Sequence, residues 1–221
     1  MELREAIRSR RSIRQFLNKP VSEEIIQDLI VQSLWAPSWG NTQPWEIVVA
    51  TGEKLEEFKK RNEEGLLAGK ASQTDVPMPQ VWPYPYLERY KNLGKGVLSS
   101  LSIGREDKEA RLQHFADMFR LFDAPAVILL SVEKELSLEY AMLDIGIYLQ
   151  TFSLLAHDRG LGTCIMAVIV SFPDLVRELF DIPENKNIVM GAALGWPDPE
   201  APVNLFERQR GALDEFVKWV K

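Results

Sequence analysis

The chain has 221 residues, of which 46% are hydrophobic and 26% are charged. Both fractions are typical of a globular domain with a sizeable core, so the composition argues against a collagen-like, coiled-coil or disordered chain. The 26 basic and 32 acidic side chains give a net charge of −6. A general nucleic-acid binder needs a basic face to displace counterions from phosphates, and the acidic balance disfavours that class.

Signals for a metal centre or a membrane segment are weak. The one cysteine, Cys164, rules out an internal disulfide, and the two histidines, His114 and His157, are too few for a histidine-rich metal centre. No apolar run reaches the roughly 18 residues of a membrane span, and the charged first residues lack the apolar region of a secretory signal. We therefore expect a cytoplasmic protein with no metal, no membrane partner and no nucleic-acid partner.

The first half of the chain is predicted to be mostly helical. Ser22 is placed to cap a helix with its side chain, and Pro37 is expected to stop that helix. The alternation at 46–50 predicts a strand. The predicted helices of this half span 2–9, 22–36, 53–64, 86–102 and 106–120.

Residues 65–86 are the least regular part of the sequence. Pro77, Pro79, Pro83 and Pro85 exclude a continuous helix or strand there. The segment is either a mobile lid or a loop packed on the surface. Together with the two helices that follow, it is expected to form an inserted lid region over 66–120.

The second half alternates strands and helices. Strands are predicted at 126–132, 162–170 and 188–194, helices at 137–159, 173–180 and 213–220, and an extended segment at 196–206. The 137–159 helix is apolar nearly all round, so it is expected to be buried inside the domain or between subunits. Nothing resembling a linker divides the chain. The sequence therefore predicts one α/β or α+β domain of three layers over 1–221.

Several common catalytic motifs are absent. The sequence has no phosphate-binding P-loop, no His-Glu-x-x-His and no Gly-x-Ser-x-Gly. Gly160-Leu161-Gly162 resembles the start of a dinucleotide fingerprint, but position 165 is Ile and the motif opens a strand. Cys164 in its apolar strand is expected to be an inert core thiol. If the chain is an enzyme, its reactive group is expected to come from a cofactor.

A basic turn, Arg10-Arg11-Ser12-Ile13-Arg14, is the first segment whose side chains could bind a ligand. Guanidinium forks match phosphate oxygens in pairs, and a serine hydroxyl can complete such a cradle. The alternative is a solvated basic turn after a helix C-terminus, where cations are favoured. Taken by itself, the turn leaves both readings open.

Three further segments could line a ligand site. The polar stretch Ala36–Trp45 offers amides that suit the edge of a heterocycle, although it could equally be a plain turn. The strand over 160–167 could present backbone groups to a flat ring or simply belong to the core. Near the C-terminus, Pro202-Val203-Asn204 precedes Arg208 and Arg210, which could meet the basic turn or form a surface charge pair.

Taken together, these segments resemble the FMN-dependent nitroreductase family, in the branch of nitrobenzoate-type reductases. The resemblance covers nearly the whole chain, from Leu3 to Trp219. The family resemblance rests on the order of four motifs: Arg-Arg-Ser-x-Arg from Arg10, Ala-Pro-Ser-x-x-Asn-x-Gln-Pro-Trp from Ala36, Gly-Leu-Gly-Thr-Cys from Gly160, and Gly-Trp-Pro-Asp to Pro-Val-Asn over Gly195–Asn204. The branch is indicated by the middle stretch, which includes Arg105-Glu106-Asp107 and Phe122-Asp123-Ala124-Pro125.

The resemblance implies a homodimeric α+β sandwich with a mostly antiparallel central sheet and FMN at the subunit interface. It implies that Arg10, Ser12, Arg14, Arg208 and Arg210 hold the FMN phosphate and that the backbone of Arg11 lies near the flavin. Other implied cofactor-binding residues are Pro37, Ser38, Trp39 and Asn41 from the partner subunit, and Ile165, Met166 and Ala167 along the ring edge. Arg120 lies where some members place a basic group near the flavin.

The implied reaction is ping-pong. NADH or NADPH reduces the flavin and leaves, and a nitroaromatic or another electron-poor aromatic substrate then takes the two electrons. No catalytic side chain is assigned. The same site could serve an enone or quinone reductase, a dehalogenase, a flavin-fragmenting enzyme, or a flavin-binding module without turnover. Three departures from the family bear on that choice: Trp39 is bulky, Met166-Ala167 replaces a Gly- or Glu-containing turn, and Asp117-Met118 lacks a family asparagine.

Overall fold

A computed structural model describes residues 1–221. Its centre is a four-stranded sheet with the order β1-β2-β4-β3, in which every neighbouring pair is antiparallel. The strands are β1 (Glu46–Thr51), β2 (Ala126–Glu133), β3 (Gly162–Met166) and β4 (Lys186–Gly195). The central, mostly antiparallel sheet that the sequence resemblance implies is confirmed.

Eight α-helices surround this sheet. They are α1 (Leu3–Ser9), α2 (Glu23–Ser33), α3 (Gly52–Leu67), α4 (Tyr86–Ser100), α5 (Lys108–Phe119), α6 (Leu138–Asp158), α7 (Pro173–Phe180) and α8 (Pro202–Leu205). Ser22 caps α2 as predicted, because its hydroxyl accepts a hydrogen bond from the Ile25 amide at 3.4 Å. None of these helices combines the length and apolar character that a bilayer crossing requires.

The sheet separates two apolar cores, which makes the domain a three-layer sandwich. Alternate residues of the buried strand β2 point to opposite faces, so Ile128 contributes to one core and Leu129 to the other. On the first face, α2 and α6 cover the sheet with side chains such as Leu29 and Phe152. On the second face, α3 and α7 cover it. The three-layer α+β fold expected from the sequence is thus confirmed.

Helix α6 is buried on one side only. Tyr148 and Phe152 are fully buried against the sheet, whereas Tyr140 and Leu143 are 55% and 59% exposed. Trp35, two residues after the end of α2, is 85% exposed. The helix therefore packs inside the domain along one stripe and presents a second apolar stripe at the surface of the single chain.

Two predicted elements are wrong. The strand predicted at 162–170 ends at Met166, and residues 167–170 form a 3₁₀ turn that buries Ile169 above Gly191 of β4. The helix predicted at 213–220 is only a 3₁₀ turn over Leu213–Glu215. In the first case an apolar run fits a strand and a buried turn equally well. In the second, the following apolar side chains are exposed, so no packing surface supports a helix.

The segment predicted to be extended at 196–206 contains the short helix α8, which begins at Pro202. Proline is favoured at a first helical position because its fixed φ suits the helix and its missing N–H would be unpaired there. The rest of the segment is irregular and runs beside the N-terminal residues. For example, the Leu17 amide donates to the Trp196 carbonyl at 2.8 Å.

The proline-rich segment is fixed to the domain at its beginning. Asp75 accepts hydrogen bonds from the Arg177 guanidinium at 2.7 Å and from the Ile188 amide at 2.8 Å. The later residues are more exposed, but the Trp82 ring stacks on Tyr90 with centroids 5.6 Å apart. The first part of the segment is therefore a packed loop. The lid role of 66–120 stays a prediction.

A strained turn joins the helical region to β2. Leu121, Phe122 and Asp123 have φ angles of 59°, 54° and 53°, which is left-handed backbone that L-residues seldom adopt in succession. Leu121 and Phe122 are buried, and Arg120 pairs with Asp123 at 2.7 Å. Burial and the ion pair offset the backbone strain. Arg120 also pairs with Glu63 at 3.3 Å, so it braces this turn.

Candidate functional site

The N-terminal basic turn lies beside strand β3 and the C-terminal segment. Ile13 donates its amide to the Thr163 carbonyl at 2.9 Å, and Ser12 forms a parallel bridge with Thr163. Further along, Phe16 bridges antiparallel to Pro197. Residues 12–17 therefore run between the sheet edge and the tail. This placement brings the arginines of positions 10–14 close to those of positions 208 and 210.

Gly162 allows this close approach. A Cβ at position 162 would lie 2.3 Å from Cγ1 of Ile13 and 3.0 Å from Cγ of Pro197. We expect Gly162→Ala to destabilise the fold by about 1–3 kcal/mol, because the overpacked N-terminal segment must move away from β3. Gly94→Ala, on α4 with no atom within 4 Å of its added Cβ, is the matched control and should be neutral or slightly stabilising. Urea denaturation of both variants tests this; equal stabilities would contradict it.

The Asn204 side chain binds three backbone groups. It is buried at 3% exposure; Oδ1 accepts from the Arg14 amide at 2.8 Å. Nδ2 donates to the Gln15 carbonyl at 2.8 Å and to the Asp198 carbonyl at 3.0 Å. An amide satisfies a donor and two acceptors at once, which few side chains can do. The asparagine of the Pro-Val-Asn motif thus fixes the basic turn to the tail.

Two of the arginines bind backbone carbonyls. Arg11 donates to the carbonyls of Asn204 and Phe206, and Arg208 donates to those of Arg8 and Arg10. The last two carbonyls lie at the C-terminal end of α1, where a cation is favoured by the helix dipole. In this structure Arg11 and Arg208 therefore tie the two ends of the site together through their side chains.

The segments enclose a cavity of about 550 Å³ that is rich in cations. The guanidinium groups of Arg10, Arg14 and Arg210 donate no hydrogen bond to another segment of the chain. None of the five predicted arginines (Arg10, Arg11, Arg14, Arg208 and Arg210) forms an ion pair with a carboxylate. The cavity is lined by Arg10, Arg11, Ser12, Arg14, Arg89, Asn92, Leu93, Gly96, Phe206, Glu207, Arg208, Gln209, Arg210, Gly211 and Phe216. Unpaired guanidinium groups around one cavity are the arrangement that binds a multiply charged anion.

Burial and mutual repulsion act on these cations. Burial lowers the pKa of Arg10, and Arg210 lowers it further. Burial also lowers the pKa of Arg208, with added effects from Arg11, Arg210 and Arg10. In addition, Nε of Arg10 is buried without a hydrogen-bond partner. An anion in the cavity would offset the repulsion between the clustered charges and would accept a hydrogen bond from the unpartnered Nε of Arg10.

The side chains behind the basic turn have structural roles. Ser9 donates its hydroxyl to the Glu5 carbonyl, and Nε2 of His157 lies 2.7 Å from the same hydroxyl oxygen. Burial, then Arg10 and Arg208, lower the pKa of His157, which favours the neutral ring. Burial raises the pKa of the Cys164 thiol. The prediction of an inert core thiol agrees with this burial.

One chain brings together only part of the predicted site. Arg10, Arg11, Ser12, Arg14, Arg208 and Arg210 line the cavity, whereas Pro37, Ser38, Trp39, Asn41, Ile165, Met166 and Ala167 do not. The Trp39 amide instead donates to Asp144 at 3.0 Å, and its ring lies 5.5 Å from Tyr140 of α6. Arg120, Asp117 and Met118 also lie outside the cavity lining.

The sequence reasoning missed one wall of the cavity. Arg89, Asn92, Leu93 and Gly96 line it from α4, and their i, i+3, i+4, i+7 spacing places them on one helix face. That spacing was available in the sequence. A partly polar stripe on a helix usually indicates a solvated face, and only the approach of the tail shows that this stripe faces a cavity.

The fold and the site define an α+β sandwich with an arginine-lined cavity between its N-terminal turn and its tail. The family model described as "Nitroreductase family" matches residues 7–196. The chain belongs to the nitroreductase family.

Relatives of similar length support this membership. The chain is 33% identical to the nitrobenzene nitroreductase of Ectopseudomonas oleovorans over 97% of its own length and 95% of the relative's. It is 30% identical to the 4-nitrobenzoate reductase of Pseudomonas putida over 97% and 93% of the two chains.

Solved structures are also similar. The FMN and NADPH-dependent nitroreductase NfnB from Sphigopyxis sp. strain HMH superposes with a TM-score of 0.95 at 29% identity, over 100% of both chains. The FMN-dependent nitroreductase NfnB from Mycobacterium smegmatis, solved in complex with NADPH, gives a TM-score of 0.92 at 26% identity, over 99% and 97% of the chains.

Proposed function

We propose that this protein is an FMN-dependent oxidoreductase that uses NADPH or NADH to reduce nitroaromatic or related electron-poor compounds. The observation that carries the proposal is the group of five arginines around the cavity, Arg10, Arg11, Arg14, Arg208 and Arg210, none of which pairs with a carboxylate. The relatives named for nitroaromatic reduction, and the similar structures named for FMN and NADPH, supply the class of cofactor and substrate.

The residues present fit the phosphate end of FMN. Arg10, Arg14 and Arg210 have guanidinium groups free to donate to phosphate oxygens, and Ser12 adds a hydroxyl. Arg11 and Arg208 hold the two segments of the cradle in place through backbone carbonyls. The buried, unpartnered Nε of Arg10 is a donor that a phosphate oxygen would satisfy.

The chain's contribution to the reaction is binding and electrostatics. When bound, FMN supplies the two-electron chemistry by which NAD(P)H reduces a second substrate, in a ping-pong sequence. The clustered guanidinium groups hold the cofactor's anionic end and favour negative charge nearby. We assign no catalytic side chain. His157 contacts the Ser9 hydroxyl, and the Cys164 thiol is buried.

A second copy of the chain is proposed to complete the site. Pro37, Ser38, Trp39 and Asn41 do not line the cavity of their own chain, and Trp39 is 67% exposed. Beside them, the exposed apolar stripe of α6 offers a surface that a second copy would bury. In such a homodimer these residues would line the cofactor of the partner subunit. Light scattering of the purified protein tests the dimer.

The ring end of FMN is proposed to lie along β3. Ile165 is 41% exposed although its neighbours Cys164 and Met166 are buried, so its side chain leaves the sheet on the open face. Met166 packs in the core and would contribute only its backbone, and Ala167 follows at the turn. These three residues would form the edge against which the flavin ring lies.

Reduction of bound flavin tests the function. We expect the protein loaded with FMN to lose its flavin absorbance near-completely when NADPH or NADH is added without oxygen, and to regain it when 4-nitrobenzoate is added. A heat-denatured sample is the control for direct reduction. Flavin that binds but is not reduced would indicate a binding module without turnover. If only quinones, enones or halogenated aromatics reoxidise the flavin, the substrate belongs to that class of compound and not to the nitroaromatics.

A further inference from the structure

The tail loop, defined as residues 206–216, lines the cavity and is attached to α4 at both ends. At the first end, Phe206 packs on Gly96 and on the small cluster around Val97, where a Cβ on Gly96 would be 3.4 Å from the Phe206 ring. At the second end, Glu215 and Phe216 contact Arg89. Between these anchors the loop carries Arg208 and Arg210.

The second anchor combines an ion pair and a stacked cation. Nη2 of Arg89 lies 2.6 Å from Oε2 of Glu215, and the Arg89 guanidinium lies 4.9 Å from the centre of the Phe216 ring. Tyr86, one turn earlier in α4, lies 5.9 Å from the same guanidinium. A cation placed between a carboxylate and an aromatic face is held by two independent attractions.

The same carboxylate shapes the loop itself. Oε1 of Glu215 accepts a hydrogen bond from the Ala212 amide at 2.6 Å, so each carboxylate oxygen has a different partner. Gly211 leaves the room that this needs, because a Cβ there would lie 2.6 Å from the Phe216 ring and 2.9 Å from Oε1 of Glu215. The loop is therefore folded so that Glu215 and Phe216 reach α4 together.

We propose that Arg89, Glu215 and Phe216 form a latch that holds the tail loop over the anion cavity and sets the rate at which FMN leaves. The inference rests on the proposed function, since FMN is taken as the ligand of the cavity. These residues act as positioning residues. They hold Arg210, whose guanidinium donates only to the neighbouring Gln209 carbonyl, at the cavity where it can bind phosphate.

The latch is expected to act on the phosphate and not on the ring. Arg210 is the exposed end of the cradle and depends on the loop for its position. The Arg14 amide is instead bound by Asn204, and the turn that follows Arg10 is bound to β3 through Ser12 and Ile13. Breaking the latch should therefore weaken the binding of FMN. The binding of riboflavin, which lacks the phosphate, should be unaffected. A change that merely loosened the whole fold would weaken both ligands.

Glu215→Gln and Arg89→Gln are the test variants. Both partners are partly exposed, so we expect each variant to release FMN about five-fold faster than the wild type, measured by the recovery of flavin fluorescence after dilution. Gly211→Ala, which displaces the same contacts by a clash, should act in the same direction. Glu178→Gln, which removes the equally short and exposed pair of Glu178 with Arg61 between α7 and α3, is the matched control and should change nothing.

A double-mutant cycle separates the latch from general stability. In an Arg210→Ala background, Glu215→Gln should add less than about a two-fold change in the FMN release rate, because the residue that the latch positions is gone. Three results would each overturn the proposal. The first is an undiminished effect of Glu215→Gln on FMN release in the Arg210→Ala background, and the second is an equal effect on riboflavin release. The third is an effect of Glu178→Gln on FMN release as large as that of Glu215→Gln.

Amide hydrogen exchange of the protein without added ligand provides a readout that does not depend on FMN. Amides of the tail loop should exchange about five-fold faster in Glu215→Gln than in the wild type, with no change in the strands. A wild-type protein that binds no FMN would contradict the proposed function, and tail-loop exchange would still decide whether the latch exists. Unchanged exchange in both glutamine variants would refute the latch by itself.

Discussion

Replacing both Arg10 and Arg210 with alanine is expected to weaken FMN binding by about 10²- to 10⁴-fold. Each guanidinium would donate a charge-assisted hydrogen bond to the phosphate, and such bonds contribute about 1.5–3 kcal/mol each. The two residues come from opposite ends of the sequence and line one cavity, so their losses combine at one ligand group. Titration of flavin fluorescence with FMN measures the effect.

Riboflavin and a distant arginine serve as controls for this prediction. The affinity for riboflavin should change little in the double variant, because the removed contacts are to the phosphate. Arg159→Ala, which removes a surface pair with Asp28, should leave FMN binding unchanged. If the double variant binds FMN as tightly as the wild type, the phosphate lies elsewhere and the proposed cavity is wrong.

The second large effect is expected at Asn204. Asn204→Ala should lower the free energy of unfolding by about 3 kcal/mol, because an amide and two carbonyls lose their partners at a buried position and each lost bond costs about 1 kcal/mol. It should also weaken FMN binding, since the Arg14 backbone is no longer fixed. Urea denaturation measures the stability, and a fluorescence titration measures the affinity.

A second asparagine offers the comparison for this prediction. Asn185 is exposed and its side chain makes one hydrogen bond, to Glu133. Asn185→Ala should therefore change the stability by less than about 0.5 kcal/mol. Equal stabilities of the two alanine variants would show that the side-chain bonds of Asn204 do not hold the N-terminal turn to the tail.

Most of the sandwich follows from local sequence signals. Ser22 marks the start of α2, and the continuous apolar run at 126–132 is the central strand β2, buried on both faces. The wrong boundaries occur where tertiary packing decides between structures of similar local preference. Ile169 enters the core from a 3₁₀ turn instead of a strand, and Phe216 contacts an arginine instead of continuing a helix.

The site is less predictable than the fold. The motifs identify five of the six arginines that line the cavity and miss Arg89 of α4. They do not distinguish an arginine that faces a ligand from one such as Arg208 that caps the carbonyls of α1. That difference depends on which groups lie within hydrogen-bonding distance, which no spacing rule gives. The residues proposed to come from a second copy contact the site only in a dimer, so their contacts are not seen in a single chain.

The hydrogen bond between the Arg14 amide and Asn204 can form only late in the synthesis of the chain. The two positions Arg14 and Asn204 are 190 residues apart in the sequence. At synthesis rates of about 5–20 residues per second, Asn204 is translated roughly 10–40 s after Arg14. The nucleotide can therefore be captured only after the sheet strands have been translated. We expect chains that stall or are cut before Asn204 to stay colourless, so that yellow colour reports a finished polypeptide.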